Sequence, residues 1–462
     1  MKTLIRKKNV ILVALDIMAV LLSTYSAYML RLFSSKNFSE FFSTYTGATV
    51  FAVAIFIASF YIFDLYNDKR IKLMTHRKYI AVCSMATLNG ILWLGLCYYL
   101  FPSWKLGRGI FVIYFFNILI LSLLVRRVIF PAIERAIPVQ KIVLYGWGPQ
   151  TSMLMEALHD DAASKRQIVA ILKRTGMPIL EKIPEGIRFL PASDMPSVIN
   201  NNIDLVAVES SNEPSDWDTE QFLACKRKGI SIVSAADYYI NIFGKIPIEA
   251  VRIDDLIFDR NILGGVQVLK GKFVRIVDIF CSATGLVLAS PLILFSFLAV
   301  KASSKGPFFF TQDRVGLDGN TFKILKIRTM VDNAEQESGP VWAKKDDHRV
   351  TKVGKFLRKT RIDEIPQLIN VLSGDMSMVG PRPERPFFVQ DLAKKIPYYS
   401  LRHLVKPGIT GWAQVNYKYG ASVHDAEEKL KYDLYFVRQA TIYDYMKIIM
   451  MTVQTVISRP GS

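Results

Sequence analysis

The chain has 462 residues, of which 51% are hydrophobic, and it carries a formal net charge of +18. Its mean hydropathy of +0.24 is too high for a chain made only of water-soluble domains, so membrane segments are expected. The basic excess indicates membrane orientation, and it also favours a polyanionic partner such as a phosphorylated substrate. No nucleic-acid-binding motif is recognisable, and the scattered positions of four cysteines and five histidines argue against a zinc site.

Four long apolar stretches within residues 1–135 predict a bundle of four transmembrane helices. Each stretch approaches the roughly 20 residues that a helix needs to cross a bilayer. The stretches begin near Asn9, Phe41, Tyr79 and Gly109. Asp16 in the first stretch either marks a transport path, pairs with a neighbouring helix or lies near the membrane surface. A transporter would need more such groups, so the four spans are interpreted as an anchor.

The basic residues around these stretches predict their orientation. The N-terminal "MKTLIRKK" and the loop at 67–78 are rich in lysine and arginine, whereas the loops at 34–40 and 102–108 are weakly charged. Basic loops remain in the cytoplasm, so the N-terminus and the chain after residue 135 are expected there.

Residues 136–260 have the pattern of a Rossmann-like α/β domain. The stretches "KIVLY", "QIVAIL", "IDLVAV" and "ISIV" are short buried strands separated by helical or turn-forming segments, which is typical of a parallel sheet. The "GWG" at 146–148 resembles the start of a dinucleotide fingerprint, but Thr151 follows in place of glycine, and Lys173 and Arg174 stand where an acidic residue is usual. The alternatives are a weak nucleotide site and a degenerate module that packs or regulates.

A fifth apolar stretch, at about 273–301, has a proline at its centre. Its segment 279–300 is uncharged and long enough to cross a bilayer, but a crossing would place a basic C-terminal domain outside the cell. Ser290 and Pro291 lie midway, and proline breaks or kinks a helix. The sequence therefore predicts a re-entrant helix that enters and leaves on the cytoplasmic side, with a kinked transmembrane helix as the alternative.

Two adjacent carboxylates, Asp363 and Glu364, lie in a basic setting in "TKVGKFLRKTRIDEIPQLINVL". Arg358 and Arg361 precede them, and Pro366 suits the first turn of a following helix. The strand-like "FKILKIRTM" upstream contributes three further cations, Lys323, Lys326 and Arg328.

Adjacent carboxylates at a helix start point in different directions, so they are expected to have different roles. One can attack a phosphorus atom while the other binds Mg²⁺. The arginines would favour the ionised nucleophile and, with the metal, neutralise a substrate diphosphate. The alternative is a capped surface helix with a solvated ion pair.

From about Lys272 onwards, the chain resembles the bacterial sugar transferases, the monotopic polyprenyl-phosphate phosphoglycosyl transferases. The matching stretches are "FVRIVDIFCSATGLVLASP", "GPFFFTQDRVGLDGNTFKILKIRTM", "VGKFLRKTRIDEIPQLINVLSGDMSMVGPRPE" and "HLVKPGITGWAQVNY". Four spans followed by an α/β module resemble the large form of this family. The run "YGASVHDAEEKLKYDLYFV" resembles the branch found with exopolysaccharide and exosortase systems. The resemblance implies that residues 261–462 form the catalytic domain, including the re-entrant helix.

The resemblance also implies residue roles. Asp363 corresponds to a nucleophile that attacks the β-phosphorus of a UDP-sugar and expels UMP, and Glu364 to the Mg²⁺ ligand. Undecaprenyl phosphate would then accept the sugar phosphate. Ser290 and Pro291 correspond to the helix break. The residues implied in substrate binding are Lys326, Arg328, Arg358, Arg361, Pro381, Arg382, Pro383 and Gln414. Arg361 departs from the family, in which serine is common at this position.

The implied enzyme is a multi-pass protein of the bacterial inner membrane that starts exopolysaccharide, capsule or O-antigen synthesis. Its expected partners are a UDP-sugar, undecaprenyl phosphate and membrane lipids. A hexose is favoured as the sugar, with an N-acetylated amino sugar as the rival. The middle domain could support a homodimer. A different class of function, a non-enzymatic membrane scaffold with the α/β module as a sensor, is the remaining alternative.

Overall fold

The chain forms two compact units, Met1–Pro138 and Val139–Ser462. The computed structural model describes residues 2–32, 38–63, 65–66, 76–100, 110–136, 138–161, 165–173, 187–200, 202–210, 216–251, 266–331, 349–417, 420 and 422–458. The middle and C-terminal domains expected from the sequence share the second unit. Their expected boundary at residues 260 and 261 lies outside the described residues.

The first unit contains the four apolar helices that the sequence predicts. The helices are α1 (Lys2–Leu32), α2 (Phe38–Ile62), α3 (His76–Leu100) and α4 (Ile110–Leu124), and a π-helical turn (Val125–Ile129) leads into α5 (Phe130–Ala136). The segments long and apolar enough to cross a membrane are Val10–Ala27, Arg77–Cys97 and Val112–Ala136, with a shorter apolar segment at Thr46–Ile62 of α2. The loops from which orientation is predicted lie largely outside the described residues.

A buried ion pair joins the first and fourth helical segments of this unit. Arg126 donates from both terminal nitrogens to the carboxylate of Asp16, at 2.6 and 2.7 Å. Both side chains are almost completely buried. Buried charges are tolerated when they are paired in this way. Of the three interpretations of Asp16, the structure therefore supports pairing with a neighbouring helix.

The second unit begins with a five-stranded parallel sheet of order β3-β2-β1-β4-β5. Its strands are β1 (Gln140–Tyr145), β2 (Arg166–Lys173), β3 (Arg188–Pro191), β4 (Leu205–Val208) and β5 (Ser231–Ser234). The helices are α6 (Pro149–Asp160), α7 (Met195–Ile199), α8 (Asp216–Arg227) and α9 (Ala235–Phe243). Alternate residues of β1 enter two separate apolar clusters, Ile142 one and Val143 the other, so both faces of the sheet are covered. The strand β3 was not predicted from the sequence, because it is short and only half-buried.

The next element, α10 (Val266–Ser303), is a 38-residue helix that continues through Pro291. One stripe of it is buried and contains Asp278, Ser282, Ser296 and Val300, while large apolar side chains on other faces are exposed. The helix continues on both sides of Pro291. The expected break at Ser290 and Pro291 therefore stays a prediction.

The remaining elements are shorter than α10. They are β6 (Phe309–Val315), β7 (Thr321–Ile327), α11 (Lys352–Thr360), α12 (Gln367–Ser373), β8 (Ser377–Val379), α13 (Pro386–Lys395), β9 (Gly408–Thr410), α14 (Trp412–Asn416), α15 (Val423–Gln439) and α16 (Ile442–Ser458). β6 and β7 form an antiparallel hairpin, and β8 pairs with β9 in parallel. Between α11 and α12 the chain makes a short 3₁₀ turn, Ile362–Glu364.

Candidate active site

The predicted Asp-Glu pair lies on the tight connection between α11 and α12. Arg361 ends α11 in the left-handed region, with φ of 57°, and the 3₁₀ turn carrying Asp363 and Glu364 follows at once. A side chain at positive φ is strained, so this reversal persists only where the surroundings hold it. The turn directs the two carboxylates into the domain, where Asp363 is buried.

Glu364 is the meeting point of three cations from different segments. Its Oε1 accepts from Lys326 Nζ at 3.2 Å and from Arg382 Nη2 at 2.7 Å. Arg361 lies 4.0 Å from Oε2. Burial acts to raise the pKa of Glu364, but Arg382 and Lys326 together hold it far below its usual range. Glu364 is therefore anionic under all physiological conditions.

Asp363 has the opposite electrostatic character. Burial and the adjacent Glu364 carboxylate raise its pKa to about 6, against the lowering effect of Lys326, Arg358 and Arg382. Two neighbouring carboxylates whose surroundings separate their pKa values in this way are characteristic of catalytic pairs. Asp363 is thus ionised at neutral pH but less strongly paired than its neighbour, which is what an attacking carboxylate requires.

The cation Arg358 is placed by a close approach between α11 and the end of β7. Its Nε donates to Thr329 Oγ1 at 2.8 Å. A Cβ at Gly354 would lie 2.0 Å from the carbonyl oxygen of Thr329, so only glycine permits the helix to lie this close. The helix N-terminus is capped by Thr351, whose side chain accepts from the amide of Gly354.

The loop that brings Arg382 to the pair is held by its own carbonyl groups. Four successive carbonyls are engaged: Pro381 accepts from Gly408, Arg382 from Arg402, Pro383 from Arg314 and Glu384 from Val315. Pro381 and Pro383 are buried. The role of the two prolines in the structure is to fix the backbone from which Arg382 extends.

Two of the residues expected around the substrate lie elsewhere. Arg328 donates to the carbonyls of Ser304 and Lys305, just beyond the C-terminal end of α10. Gln414 donates to the carbonyl of Ile409, and its buried Oε1 has no hydrogen-bond partner among the described residues. β7 ends at Ile327, so Arg328 lies just beyond the strand that places Lys326 beside Glu364.

Three residues that support the site were not predicted from the sequence. Asn370 of α12 accepts from the amide of Leu325 and donates to the carbonyl of Lys323, which fixes β7 beside the pair. Arg402 and Asp433 form a buried ion pair at 2.8 Å beneath the Arg382 loop. Asn370 lies in "DEIPQLIN", next to the predicted pair. No local sequence pattern predicts that its side-chain amide will hydrogen-bond to β7.

In the middle domain, a side chain of the protein occupies the N-terminus of α6, which follows the glycine turn at 146–148. Glu209, which follows β4 and is buried, accepts through Oε2 from the amides of Gln150 and Thr151 and from the Thr151 hydroxyl. A Cβ at Gly148 would lie 2.6 Å from Glu209 Cδ. A phosphate at this helix N-terminus would have to displace Glu209, so the structure favours the packing interpretation over the nucleotide site.

The comparison with known families covers the whole of this site. Residues 269–459 match the family "Bacterial sugar transferase". A relative from Aeromonas hydrophila, a UDP-N-acetylgalactosamine-undecaprenyl-phosphate N-acetylgalactosaminephosphotransferase, is 36% identical over 272 residues. A Klebsiella pneumoniae UDP-glucose:undecaprenyl-phosphate glucose-1-phosphate transferase is 45% identical over 193 residues. These matches cover 58% and 41% of this chain, which spans 62% of the first relative and 41% of the second.

A third relative is shorter. The chain is 49% identical over 128 residues to a putative undecaprenyl-phosphate N-acetylgalactosaminyl 1-phosphate transferase from Bacillus subtilis, covering 28% of this chain and 71% of that protein. The family match includes α10 from residue 269 onwards, the Asp-Glu turn and the Arg382 loop. On this evidence the chain belongs to the bacterial sugar transferase family.

Proposed function

We propose that the protein transfers a sugar 1-phosphate from a UDP-sugar to undecaprenyl phosphate and releases UMP. The observation that carries the proposal is the buried Asp363–Glu364 pair, which lies among Lys326, Arg358 and Arg382 in the domain that matches the family. The relatives from Aeromonas hydrophila and Klebsiella pneumoniae are named as enzymes of this reaction class. A cluster of fixed cations around carboxylates suits a substrate that brings its own negative charge, such as a diphosphate.

The reaction would proceed in two displacement steps. In the first, a carboxylate oxygen of Asp363 bonds to the β-phosphorus, and the bond from that phosphorus to the bridging oxygen breaks, so UMP leaves with the electron pair. In the second, a phosphate oxygen of undecaprenyl phosphate attacks the same phosphorus and the bond to Asp363 breaks. Neither step needs a base to activate the enzyme nucleophile, because Asp363 is ionised at neutral pH.

Glu364 fits the expected Mg²⁺ if the substrate contributes oxygens. No cluster of three or more metal-ligating side chains occurs among the described residues. Mg²⁺ commonly binds one or two carboxylates together with substrate phosphates, and it would neutralise charge on the diphosphate here. Lys326 and Arg382 both bind Glu364 Oε1. Oε2 has the more distant Arg361 beside it, at 4.0 Å, and it is the oxygen that would bind Mg²⁺.

Membrane placement would follow from α10. Arg275 near its start donates to the carbonyls of Val371 and Leu372, and Val300 near its end packs with Leu357. Both ends of the helix therefore contact the same small domain, which supports an entry and return on one side rather than a crossing. Exposed apolar residues such as Phe280 and Phe295 would lie in the lipid, and the catalytic domain would face the cytoplasm of an inner-membrane protein.

The middle sheet has the strand order of a doubly wound fold, which supports its interpretation as a Rossmann-like domain. Expected dimer contacts through this domain remain a prediction. The donor is expected to be a UDP-hexose, and the relatives' names, which include both glucose and N-acetylgalactosamine, make an N-acetylated donor the rival.

The test is an assay of the full-length protein in lipid with Mg²⁺, undecaprenyl phosphate and a panel of UDP-sugars. UMP release from one donor supports the proposal, and a labelled donor should leave a phosphosugar on Asp363. The variant Asp363→Asn should abolish both signals while remaining in the membrane. If no donor releases UMP, or if Asp363→Asn retains full release, the proposal fails, and the scaffold alternative gains support.

A further inference from the structure

A buried ion pair supports the backbone of the Arg382 loop from below. Arg402 donates through Nη2 to the carbonyl of Arg382 at 3.0 Å and to Asp433 Oδ2 at 2.8 Å. It also donates through Nη1 to the hydroxyl of Tyr399 at 2.8 Å. Both charged side chains are more than nine-tenths buried. Such a pair has one favourable geometry, so it fixes the carbonyl to which it donates.

The helix that carries Asp433 is in turn held by the middle domain. Ile246, just after α9, donates its amide to the carbonyl of Lys431 at 2.8 Å. Ile240, Ile246 and Ile248 are buried in one apolar cluster with side chains of α13, α15 and the 3₁₀ segment at Tyr399. The members of that cluster from the catalytic domain are Leu392, Ile396, Tyr399, Leu430, Leu434 and Tyr435.

A second connection reaches the same loop from its other side. Trp412 donates its indole N–H to the carbonyl of Gly244, which ends α9, at 2.6 Å. The strand β9 lies immediately before Trp412 and bonds the beginning of the loop: Gly380 donates to Thr410 at 2.8 Å, and Gly408 donates to Pro381 at 2.9 Å. Residues 236–251 of the middle domain thus contact both supports of the loop.

We propose that this segment of the middle domain positions the active-site loop Gly380–Arg385, with Arg402 and Asp433 as the positioning residues that connect them. The middle domain would then have a mechanical role in the reaction, consistent with a glycine turn occupied by Glu209. The inference deepens the proposed function, on which its activity readout rests. Its structural readout is independent, because Arg382 approaches Glu364 whether or not the reaction is the one proposed.

The first experiment compares two substitutions of equally buried isoleucines in the middle domain. Ile246→Ala removes contacts with the catalytic domain, whereas Ile171→Ala removes contacts within the sheet core. Both should lower the unfolding temperature of the full-length protein. Only Ile246→Ala should accelerate amide hydrogen exchange at Gly380 and Gly408 and lower kcat for UMP release per folded molecule, by about 10- to 100-fold.

A second pair of variants tests the positioning residues themselves. Arg402→Gln should reproduce the faster exchange at Gly408 and the loss of kcat, and Arg402→Lys, which retains the charge beside Asp433, should restore part of both. If Ile246→Ala does not fold, Trp412→Phe removes the bond to Gly244 while keeping an aromatic side chain, and it should accelerate exchange at Gly380.

The outcomes separate this inference from the proposed function. Equal exchange and equal kcat in Ile246→Ala and Ile171→Ala would overturn the positioning role. Absence of UMP release from the unmodified protein would overturn the proposed function alone, because faster exchange in Ile246→Ala and in Arg402→Gln would still support positioning of the loop.

Discussion

Arg382 lies 2.7 Å from Glu364, so a loop and a turn separated by 18 residues meet at one carboxylate oxygen. Lys326, which is 38 residues from Glu364, binds the same oxygen at 3.2 Å. Asp363 beside them is left with a raised pKa and less direct pairing. The site therefore distinguishes two adjacent carboxylates: the pKa of Glu364 is held far below its usual range, and the pKa of Asp363 is raised to about 6.

Replacing Arg382 should slow the reaction strongly. Arg382→Ala removes a cation that would face both Glu364 and the donor diphosphate, and we expect kcat for UMP release to fall by about 100-fold or more. Arg382→Lys should recover only part of the rate, because an ammonium cannot reproduce the fork of a guanidinium. Lys395→Ala, on the exposed ion pair with Asp391, is the control and should have the normal rate. A normal rate in Arg382→Ala would contradict this role.

The raised pKa of Asp363 predicts an acidic limb in the rate profile. The groups facing Asp363 are Glu364 on the same turn, Lys326 of β7, Arg358 of α11 and Arg382 of the loop. Below its pKa of about 6 the carboxyl is neutral and cannot attack, so single-turnover UMP formation should rise with pH and level off above that value. Lys326→Met should move the limb to higher pH, and an unmoved limb would be evidence against this assignment.

The same shift predicts an effect on stability. The pKa of Asp363 in the folded chain lies above the ordinary 3.8, so the folded state binds the proton more tightly than the unfolded state does. Stability is therefore lost as pH rises from about 4 to 6. Asp363→Asn should raise the unfolding temperature at pH 7 and leave it nearly unchanged at pH 4. A lower unfolding temperature at pH 7 would refute the raised pKa.

Removing divalent metal should stop the proposed reaction. Excess chelator is expected to abolish UMP release, and added Mg²⁺ to restore it, because the donor diphosphate needs a countercharge. Glu364→Gln should raise the Mg²⁺ concentration needed for half-maximal rate. Full release in chelator would show that the cations of the chain are sufficient.

The Asp16–Arg126 pair predicts a large effect in the first unit. Asp16→Asn leaves the guanidinium of Arg126 buried without its countercharge, which should cost about 3–5 kcal/mol of unfolding free energy. The double variant Asp16→Leu/Arg126→Met removes both charges and should regain most of the loss. The measurement is thermal unfolding in detergent, and equal destabilisation in the single and double variants would argue against a cost from unpaired charge.

Much of the organisation could be predicted from the chain alone, because it depends on local patterns. Four apolar stretches of bilayer length became four apolar helices, and runs of β-branched residues became the buried strands β1, β2, β4 and β5. The short strand β3 has no such run: Phe189 packs on one face of the sheet and Leu190 on the other. It was therefore not predicted. Whether α10 bends at Pro291 stays a prediction, because the contacts around a proline, and not the proline alone, decide how far a helix bends there.

By itself, the sequence predicted the apolar helices of the first unit, the parallel sheet that follows them and the Asp363–Glu364 pair as the candidate site. The length of an apolar stretch, its polarity and the adjacency of two residues are local properties of the chain, so they can be recognised without a structure. Only the tertiary structure decided that Lys326 and Arg382 face Glu364, that Arg328 instead meets the end of α10, and that Glu209 fills the glycine turn. The physical reason is that electrostatic pairing falls off with distance in space, and distances between segments far apart in the chain are set by how apolar surfaces pack.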